Sequence, residues 1–289
     1  MIGGGREAAA RISAGRAASA RELADLLRSR RAGLQPVDVG LPVGARRRTP
    51  GLRREEVAQL AGISTTYYTF LEQGRDLHPS AQVLDALARA LRLRTAERAH
   101  LHTLVRDAPA PTDRRTVETL APAVAALVEH LDPHPTYVTG RYWDVLAANR
   151  GARALWTDWV AQPPENRNIL WWTFTDPTAR DVLVEWEPEA AAQLARFRAA
   201  AARYPDDPAF RALIEGLHAV SPEVRAWWPR HEVAPLGSGT KLIHHPALGD
   251  LELHHVVLQV ADDPEQKLVT FTANAVDEAR IAHLLATAG

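Results

Sequence analysis

The chain has no cysteine, and only two of its 34 basic residues, Lys241 and Lys267, are lysine. The lack of cysteine excludes disulfides, thiolate zinc sites and cysteine nucleophiles. No stretch reaches the roughly eighteen consecutive apolar residues that a membrane helix requires, so a membrane-spanning protein is excluded. Residues 1–18 also lack the apolar segment of a signal peptide. We therefore expect a flexible tail over 1–18 and a cytoplasmic location with no membrane partner.

Charge and tryptophan are unevenly distributed along the 289 residues, a length that suits about two domains. Residues 1–107 carry 18 arginines against 11 acidic residues, a formal charge of +7, whereas residues 108–289 carry −8. All eight tryptophans lie between Trp143 and Trp228. The asymmetry favours two modules with different partners, although a drift in surface composition would also produce it.

The spacing of apolar residues predicts a compact helical domain over 19–107. Leucines at helical spacing predict a first helix over Ser19–Arg31, capped by Ser19. A second short helix is predicted over Arg53–Ala61, followed by a turn at Gly62 and a third helix capped by Ser64. The predicted buried seam between these helices consists of Val57, Leu60, Ile63, Tyr68 and Leu71. Helices capped by Ser80 and Thr95 complete the predicted set of five.

The segment Arg48–Arg75, together with Pro79–Leu91 after it, resembles the XRE-type helix-turn-helix of bacterial transcriptional regulators. The resemblance implies an all-α DNA-binding domain whose helix after Ser64 enters the major groove of double-stranded DNA. In this arrangement the residues expected to contact the edges of the bases are Ser64, Thr65, Thr66 and Thr69. The residues that the resemblance implies at phosphates are Arg53, Arg54 and Arg75. The Arg46–Arg48 cluster is either an arm that reaches phosphate or the minor groove, or only a charged loop; we expect Arg46 and Arg47 to contact phosphate.

Phe70 departs from this pattern, because related regulators usually carry a polar or basic residue there. The phenyl ring either touches a thymine methyl group or a sugar, or packs on a neighbouring segment such as Arg46–Pro50. Of these two, we expect packing. A single helix-turn-helix covers one half-site, so we also expect a homodimer on an inverted-repeat operator.

After a Pro- and Ala-containing linker over 108–116, the pattern changes to a mixture of helices and strands. A helix is predicted over Val117–His130, and two short strands that turn at Gly140-Arg141 follow it. Helices fill the chain from Arg150 to Trp228. The remaining predicted elements are three strands, Lys241–His245, Leu251–Val260 and Lys267–Thr272, and a closing helix, Asp277–Ala286. Residues 117–289 therefore form an α+β domain with a small antiparallel sheet.

Several stretches of this second half resemble the ligand-binding domain of MmyB-like regulators, which is similar to a PAS fold. These stretches are Tyr142–Asn149, Arg167–Leu170, Asp176–Asp181, Ser221–His231 and His245–Leu253. The resemblance implies a PAS-like domain that senses a small, apolar or fatty-acid-like ligand. We expect no other cofactor. Phe174 stands where aliphatic residues are commoner, which favours a narrower or flatter pocket.

The concentration of tryptophan supports a pocket with aromatic walls, although each tryptophan taken singly also suits core packing. The proposed walls are Trp143, Trp172, Trp186 and Trp228. The polar groups proposed to orient a ligand are Asn149, Arg180 and His231, of which Arg180 has Glu185 and Asp181 as alternative partners. The region of Trp227 and Trp228 also suits a dimer surface, in competition with the pocket.

Other functions find less support in the sequence. The pairs His244-His245 and His254-His255 place neighbouring side chains on opposite faces of a strand, so we expect no metal site. No hydrolase, phosphate-binding, zinc-protease or dinucleotide motif occurs, so we expect no enzyme. The alternative to a ligand-gated DNA-binding regulator is a helix-turn-helix module that binds another protein.

Overall fold

A computed structural model of the protein describes residues 3–42, 51–106 and 118–287. The chain divides into two compact units, and each is described by itself. The first unit contains Met1–Thr112, Ala195–Phe210 and Ala226–Pro235, and the second contains Asp113–Leu194, Arg211–Arg225 and Leu236–Gly289. The predicted linker over 108–116 lies outside the described residues.

Helix α1 spans Gly3–Gly33 and opens the first unit. This differs from the prediction of a flexible tail over 1–18 and of a helix that begins at Ser19, because Ser19 lies inside the helix. The physical reason is composition: alanine and arginine, which dominate residues 6–21, have high helix propensity and outweigh the scattered glycines. A polar, arginine-containing stretch therefore continues the helix instead of ending it.

The remaining helices of the bundle follow the sequence prediction closely. They are α2 (Arg54–Ala61), α3 (Thr65–Glu72), α4 (Ala81–Ala90) and α5 (Thr95–Val105). The hydroxyl of Ser64 caps α3 by accepting the Tyr67 N–H at 3.1 Å, and Ser80 caps α4 in the same way. Thr95, however, is the first helical residue of α5, and the cap is Arg94.

One apolar core holds these helices together. Its fully buried members include Leu26 and Leu27 of α1, Val57 of α2 and Tyr68 of α3. Leu60 was predicted in the same seam, but it is 37% exposed, because the buried face of α2 is formed by Val57, Ala58 and Ala61 and leaves Leu60 at its edge. Tyr68 and Leu71 of α3 thus face this core, whereas Thr65 and Thr66 at the start of α3 are exposed.

The second unit contains a five-stranded antiparallel sheet, as predicted, with helices inserted between its second and third strands. The strands are β1 (Thr136–Thr139), β2 (Val145–Ala148), β3 (Gly239–His245), β4 (Gly249–Val260) and β5 (Asp263–Thr272), in the spatial order β2-β1-β5-β4-β3. The helices are α6 (Pro122–His130), α7 (Arg150–Leu155), α8 (Ile169–Thr175), α9 (Thr178–Val182), α10 (Trp186–Ala201), α11 (Pro208–Val220), α12 (Pro222–Trp227) and α13 (Ala275–Thr287). Helix α10 begins in the second unit and ends in the first.

The two faces of the sheet carry different cores. On one face, Val138 of β1 and Leu268 of β5 pack against Val128 of α6. On the other face, Tyr137 and Phe271 pack against Trp156, with Trp156 and Phe271 ring centroids 4.6 Å apart. The alternation of side chains along β1 thus separates an aliphatic layer from an aromatic layer.

Candidate nucleic-acid interface and ligand cavity

The turn between α2 and α3 is built around Gly62, whose φ of 66° lies in the left-handed region. The N–H groups of Gly62 and Ile63 donate to the carbonyls of Gln59 and Ala58, which ends α2 with satisfied hydrogen bonds. Two residues later Ser64 caps α3. This chemistry fixes the direction in which α3 leaves the turn.

The amino-terminal turn of α3 is open to solvent. Ser64, Thr65 and Thr66 are all exposed, as the sequence predicts for residues that contact bases. Thr69 is only half-buried, and its hydroxyl donates to the carbonyl of Thr65 at 2.8 Å. Thr65 and Thr66 are therefore the threonines of this surface whose hydroxyl groups are best placed to meet a partner.

The arginines proposed to contact phosphate have different environments. Arg53 is exposed, and its guanidinium lies 3.3 Å from the exposed carboxylate of Glu55. Arg54 donates its Nε to the buried carboxylate of Glu72 at 2.5 Å, so its guanidinium group already forms an ion pair within the bundle. Arg46 and Arg47, with Arg48, lie outside the described residues.

Phe70 forms a cation–π pair with a neighbouring arginine. The guanidinium carbon of Arg75 lies 3.8 Å from the centroid of the Phe70 ring. The Nε of Arg75 donates to the side-chain oxygen of Gln73 at 3.2 Å. The expected packing partner of Phe70, Arg46–Pro50, lies outside the described residues. The pairing holds the Arg75 charge against the outer face of α3.

A cavity of about 320 Å³ lies in the second unit, beside α8. Its most buried lining residues are Trp159 and Trp172, whose rings meet edge to face with centroids 5.5 Å apart. Trp171 and Asp176 are half-buried. The other lining residues are Thr157, Gln162, Asn166, Thr175 and Pro177. The cavity thus combines an aromatic floor with a polar rim.

A chain of hydrogen bonds connects the floor of this cavity to its rim. The indole Nε1 of Trp172 donates to the hydroxyl of Thr178 at 3.4 Å, and that hydroxyl donates to Oδ1 of Asp176 at 2.7 Å. The backbone N–H of Thr178 also donates to Oδ1, at 2.9 Å. The Asp176 carboxylate is therefore held in one orientation.

Of the residues predicted to form the pocket, Trp172 alone is among the described lining residues of this cavity. Trp186 is buried, and its Nε1 donates to the carbonyl of Thr173 at 2.9 Å. Trp143 is buried in the turn between β1 and β2, with φ at 68°.

Asn149 is fully buried and caps α7, and its Oδ1 accepts hydrogen bonds from the backbone N–H groups of Ala152 and Thr136. Its Nδ2 donates to the carbonyl of His134 at 2.9 Å, so both polar groups of the amide have protein partners.

The predicted cationic groups also lie elsewhere. Arg180 pairs with Glu223 at 2.5 Å and stacks on the Trp186 ring, instead of pairing with Glu185 or Asp181. Trp228 and His231 belong to the first unit. There the buried guanidinium of Arg198 binds the Trp228 carbonyl, the His231 ring and Glu22 of α1.

The cluster formed by Glu22, Arg198 and His231 changes the pKa of its carboxyl group. Burial alone would raise the pKa of the Glu22 carboxyl, but the hydrogen bond with His231 and the charge of Arg198 outweigh burial and lower that pKa to about 2. Glu22 is therefore ionised at neutral pH. The His231 ring, which the sequence suggested as a ligand contact, lies against the Glu22–Arg198 ion pair of the first unit.

Sequence reasoning missed Asp176 and gave Trp159 and Trp171 no special weight. The motif Asp176-Pro177-Thr178 could have indicated the local bonding of this aspartate, and it lies within a stretch that resembles the ligand-binding family. An Asp two residues before a Thr at the start of a helix often bonds to it locally. The sequence does not show that the aspartate also borders a cavity.

The histidine pairs have ordinary partners. His244 meets Asp250 at 2.6 Å, and His254 meets Thr240 at 3.1 Å across the β3–β4 ladder. Among the described residues, no group of three or more His, Asp or Glu side chains is arranged to hold a metal ion. Within the same ranges, no helix has both the length and the apolar character needed to cross a bilayer.

Comparisons with known families agree with both halves of the structure. A model described as the MmyB-like transcription regulator ligand binding domain matches residues 120–285, and a helix-turn-helix domain model matches residues 22–101. These are domains of regulators and not of enzymes, and the matches confirm both resemblances seen in the sequence. The search of curated proteins found no match to the chain.

Proposed function

The chain belongs to the family of MmyB-like transcription regulators. We propose that it acts as a homodimer on an inverted-repeat operator. We also propose that a small, largely apolar ligand in its C-terminal domain changes its affinity for that operator. The observation that carries the DNA-binding half is the exposed amino-terminal turn of α3, at Ser64, Thr65 and Thr66.

The base-reading role assigned to this turn rests on its geometry. Side chains at the amino-terminal end of the second helix reach base edges when that helix lies in the major groove. The hydroxyl groups of Thr65 and Thr66 donate or accept hydrogen bonds, and their methyl groups suit the methyl group of thymine. Arg53, which is exposed and only loosely paired, is the better phosphate ligand, because Arg54 is already bound to Glu72.

The proposed dimer follows from the size of one recognition helix. A single α3 covers one half-site, and a two-fold repeat of half-sites requires two copies of the chain. For the ligand to regulate, it must bind one state of the protein more tightly than another, since equal affinity shifts no population. The cavity beside α8 is the site that we assign to it.

The proposal is tested by fluorescence anisotropy with a duplex from the promoter of the protein's own gene and a scrambled duplex, across a salt series. We expect specific binding whose logarithm falls steeply with the logarithm of salt concentration. The double variant Thr65→Ala/Thr66→Ala should lose about tenfold in affinity for the promoter and little for the scrambled duplex. Arg53→Ala should weaken binding to both duplexes by similar factors.

Thr103→Ala is the matched control, because Thr103 has the same side-chain chemistry on α5 and its hydroxyl donates to the carbonyl of Ala99. Unchanged sequence preference in the Thr65/Thr66 variant would show that other residues read the bases. Binding that is insensitive to both salt and sequence would instead support a module that binds protein.

A further inference from the structure

The lining of the cavity beside α8 restricts the charge of its ligand. None of the nine described lining residues is basic, whereas Asp176 supplies a carboxylate at the rim. The nearby arginines are already engaged: Arg180 pairs with Glu223 at 2.5 Å, and Arg167 donates its Nε to the Gln162 carbonyl at 2.8 Å. A carboxylate in this cavity would face a like charge with no cation in the described lining.

Asp176 is prepared for a hydrogen-bond donor. Its Oδ1 accepts two hydrogen bonds from Thr178, while its Oδ2 has no partner among the described residues. The Trp172–Thr178–Asp176 chain fixes the carboxylate before any ligand arrives, which reduces the entropy lost on binding. A protonated amine or another N–H group at Oδ2 would form a charge-assisted hydrogen bond.

The floor of the cavity favours a flat ligand. Trp159 and Trp172 are buried and Trp171 is half-buried, so three indole rings border about 320 Å³. Aromatic rings bind other rings in stacked or edge-to-face arrangements, and they also attract cations. The volume lies at the lower end of the range for ligand cavities, roughly 300–1,000 Å³. Such a space suits one or two fused rings with a short substituent.

We propose that this cavity binds a small aromatic molecule that carries a protonated amine or another N–H donor, with its ring against the tryptophans and its donor on Asp176. The proposal rests on the ligand-binding role given above and narrows the chemistry of the ligand. It replaces the fatty-acid-like ligand that the family resemblance implied, because the predicted head-group residues Arg180 and His231 are bound to other partners.

Isothermal titration calorimetry on the full chain tests the proposal with four probes. Tryptamine, indole and indole-3-acetate share one ring system and differ in charge, and decanoate represents an aliphatic acid. We expect tryptamine to bind about tenfold more tightly than indole, as one charge-assisted hydrogen bond allows. Indole-3-acetate and decanoate should bind more weakly than indole, or not detectably.

Asp176→Asn keeps an oxygen for Thr178 and removes the charge, so it should abolish the preference for tryptamine over indole. Asp181→Asn is the matched control, because Asp181 is an exposed acid of α9 outside the cavity lining. It should leave the preference unchanged. The ranking of the probes on the unsubstituted protein remains decisive even where the Asp176 variant does not fold.

Failure to bind tryptamine at millimolar concentration, or a tryptamine preference that survives Asp176→Asn, would overturn the proposal. Tighter binding of decanoate than of tryptamine would also overturn it, while leaving a ligand-binding domain in place. Promoter binding measured on the same protein reports separately on the DNA-binding role, so the two proposals fail independently.

Discussion

Glu72 at the end of α3 is a buried carboxylate shared by two arginines. Arg31 of α1 and Arg54 of α2 each donate Nε to it at 2.5 Å, and its side chain is fully buried. Burial alone would raise the pKa of Glu72, but the two guanidinium groups outweigh burial and lower that pKa. Glu72 thus connects both helices that flank α3.

Replacing Glu72 with glutamine should destabilise the protein, because two cations would then face a neutral amide. We expect a loss of about 3 kcal/mol in the free energy of unfolding, measured by urea denaturation, which is the low end for a broken buried pair since Arg54 is half exposed. Glu55→Gln, at an exposed acid, should change stability by less than about 0.5 kcal/mol. Equal effects of the two substitutions would contradict this role.

Single residues of the site were predictable only where local periodicity decides their position. The exposure of Thr65 and Thr66 follows from their place on a short amphipathic helix, and the structure agrees. The partners of Arg54 and Arg180 were not predictable, because Glu72 and Glu223 lie 18 and 43 residues away. Trp172 of the predicted pocket lines the cavity beside α8, whereas no sequence pattern marks Asp176 as a residue of its rim.

Among the elements, the α2–α3 turn and the approach to α2 both depend on glycine. Gly62 has φ of 66°, and a Cβ there would meet nothing within 4 Å. Gly51 has φ of 75°, and a Cβ there would lie 2.4 Å from the carbonyl oxygen of Ala32. The first position is thus restricted by its backbone conformation alone, and the second also by a close approach of backbone.

Alanine substitutions should separate these two restrictions. Gly62→Ala should cost about 1 kcal/mol of stability for the left-handed conformation, and Gly51→Ala about 3 kcal/mol because the clash with α1 adds to it. Gly33→Ala, at the end of α1 with free space around it, should be neutral or slightly stabilising. Thermal unfolding of the three variants gives the order, and a Gly62 variant less stable than the Gly51 variant would contradict the reasoning.

Most elements could be predicted, and the exception has a clear cause. Caps such as Ser64 and Ser80, and the alternation of Leu251 and Leu253 with polar residues at the start of β4, are local signals that persist in the folded structure. The start of α1 was missed because residues 3–18 show no apolar period, so only helix propensity favours that helix. Periodicity detects a helix with an apolar face in its sequence, and it overlooks a helical stretch whose sequence has no such face.

At the scale of the whole molecule, the first unit combines residues that are far apart in sequence. Glu22 and Arg198 form an ion pair across 176 residues, and His231 lies 3.2 Å from the same carboxylate. Because the pKa of Glu22 falls from 4.5 to about 2 on folding, its contribution to stability is complete above pH 4.5 and is lost as pH falls towards 2.

Glu22→Gln should therefore lower the free energy of unfolding by about 3 kcal/mol at pH 7, and by less than half of that at pH 3. Urea denaturation of the full chain at both pH values measures the difference. Asp25→Asn, at a more exposed acid that pairs with Arg28, serves as the control and should show little effect at either pH. If Glu22→Gln lowers the free energy of unfolding by the same amount at both pH values, the ion pair is not the source of the loss.

Helix α10 has a consequence for how this chain tolerates insertions and deletions. Its residues up to Leu194 belong to one unit and those from Ala195 to the other, and Arg198 lies on the later part. Removing one residue between Ala195 and Arg198 would rotate Arg198 by about 100° about the helix axis relative to Ala195 and turn it away from Glu22. Length changes should be accepted in surface loops and rejected here, and chimaeras that exchange sensor domains should keep their junctions outside α10.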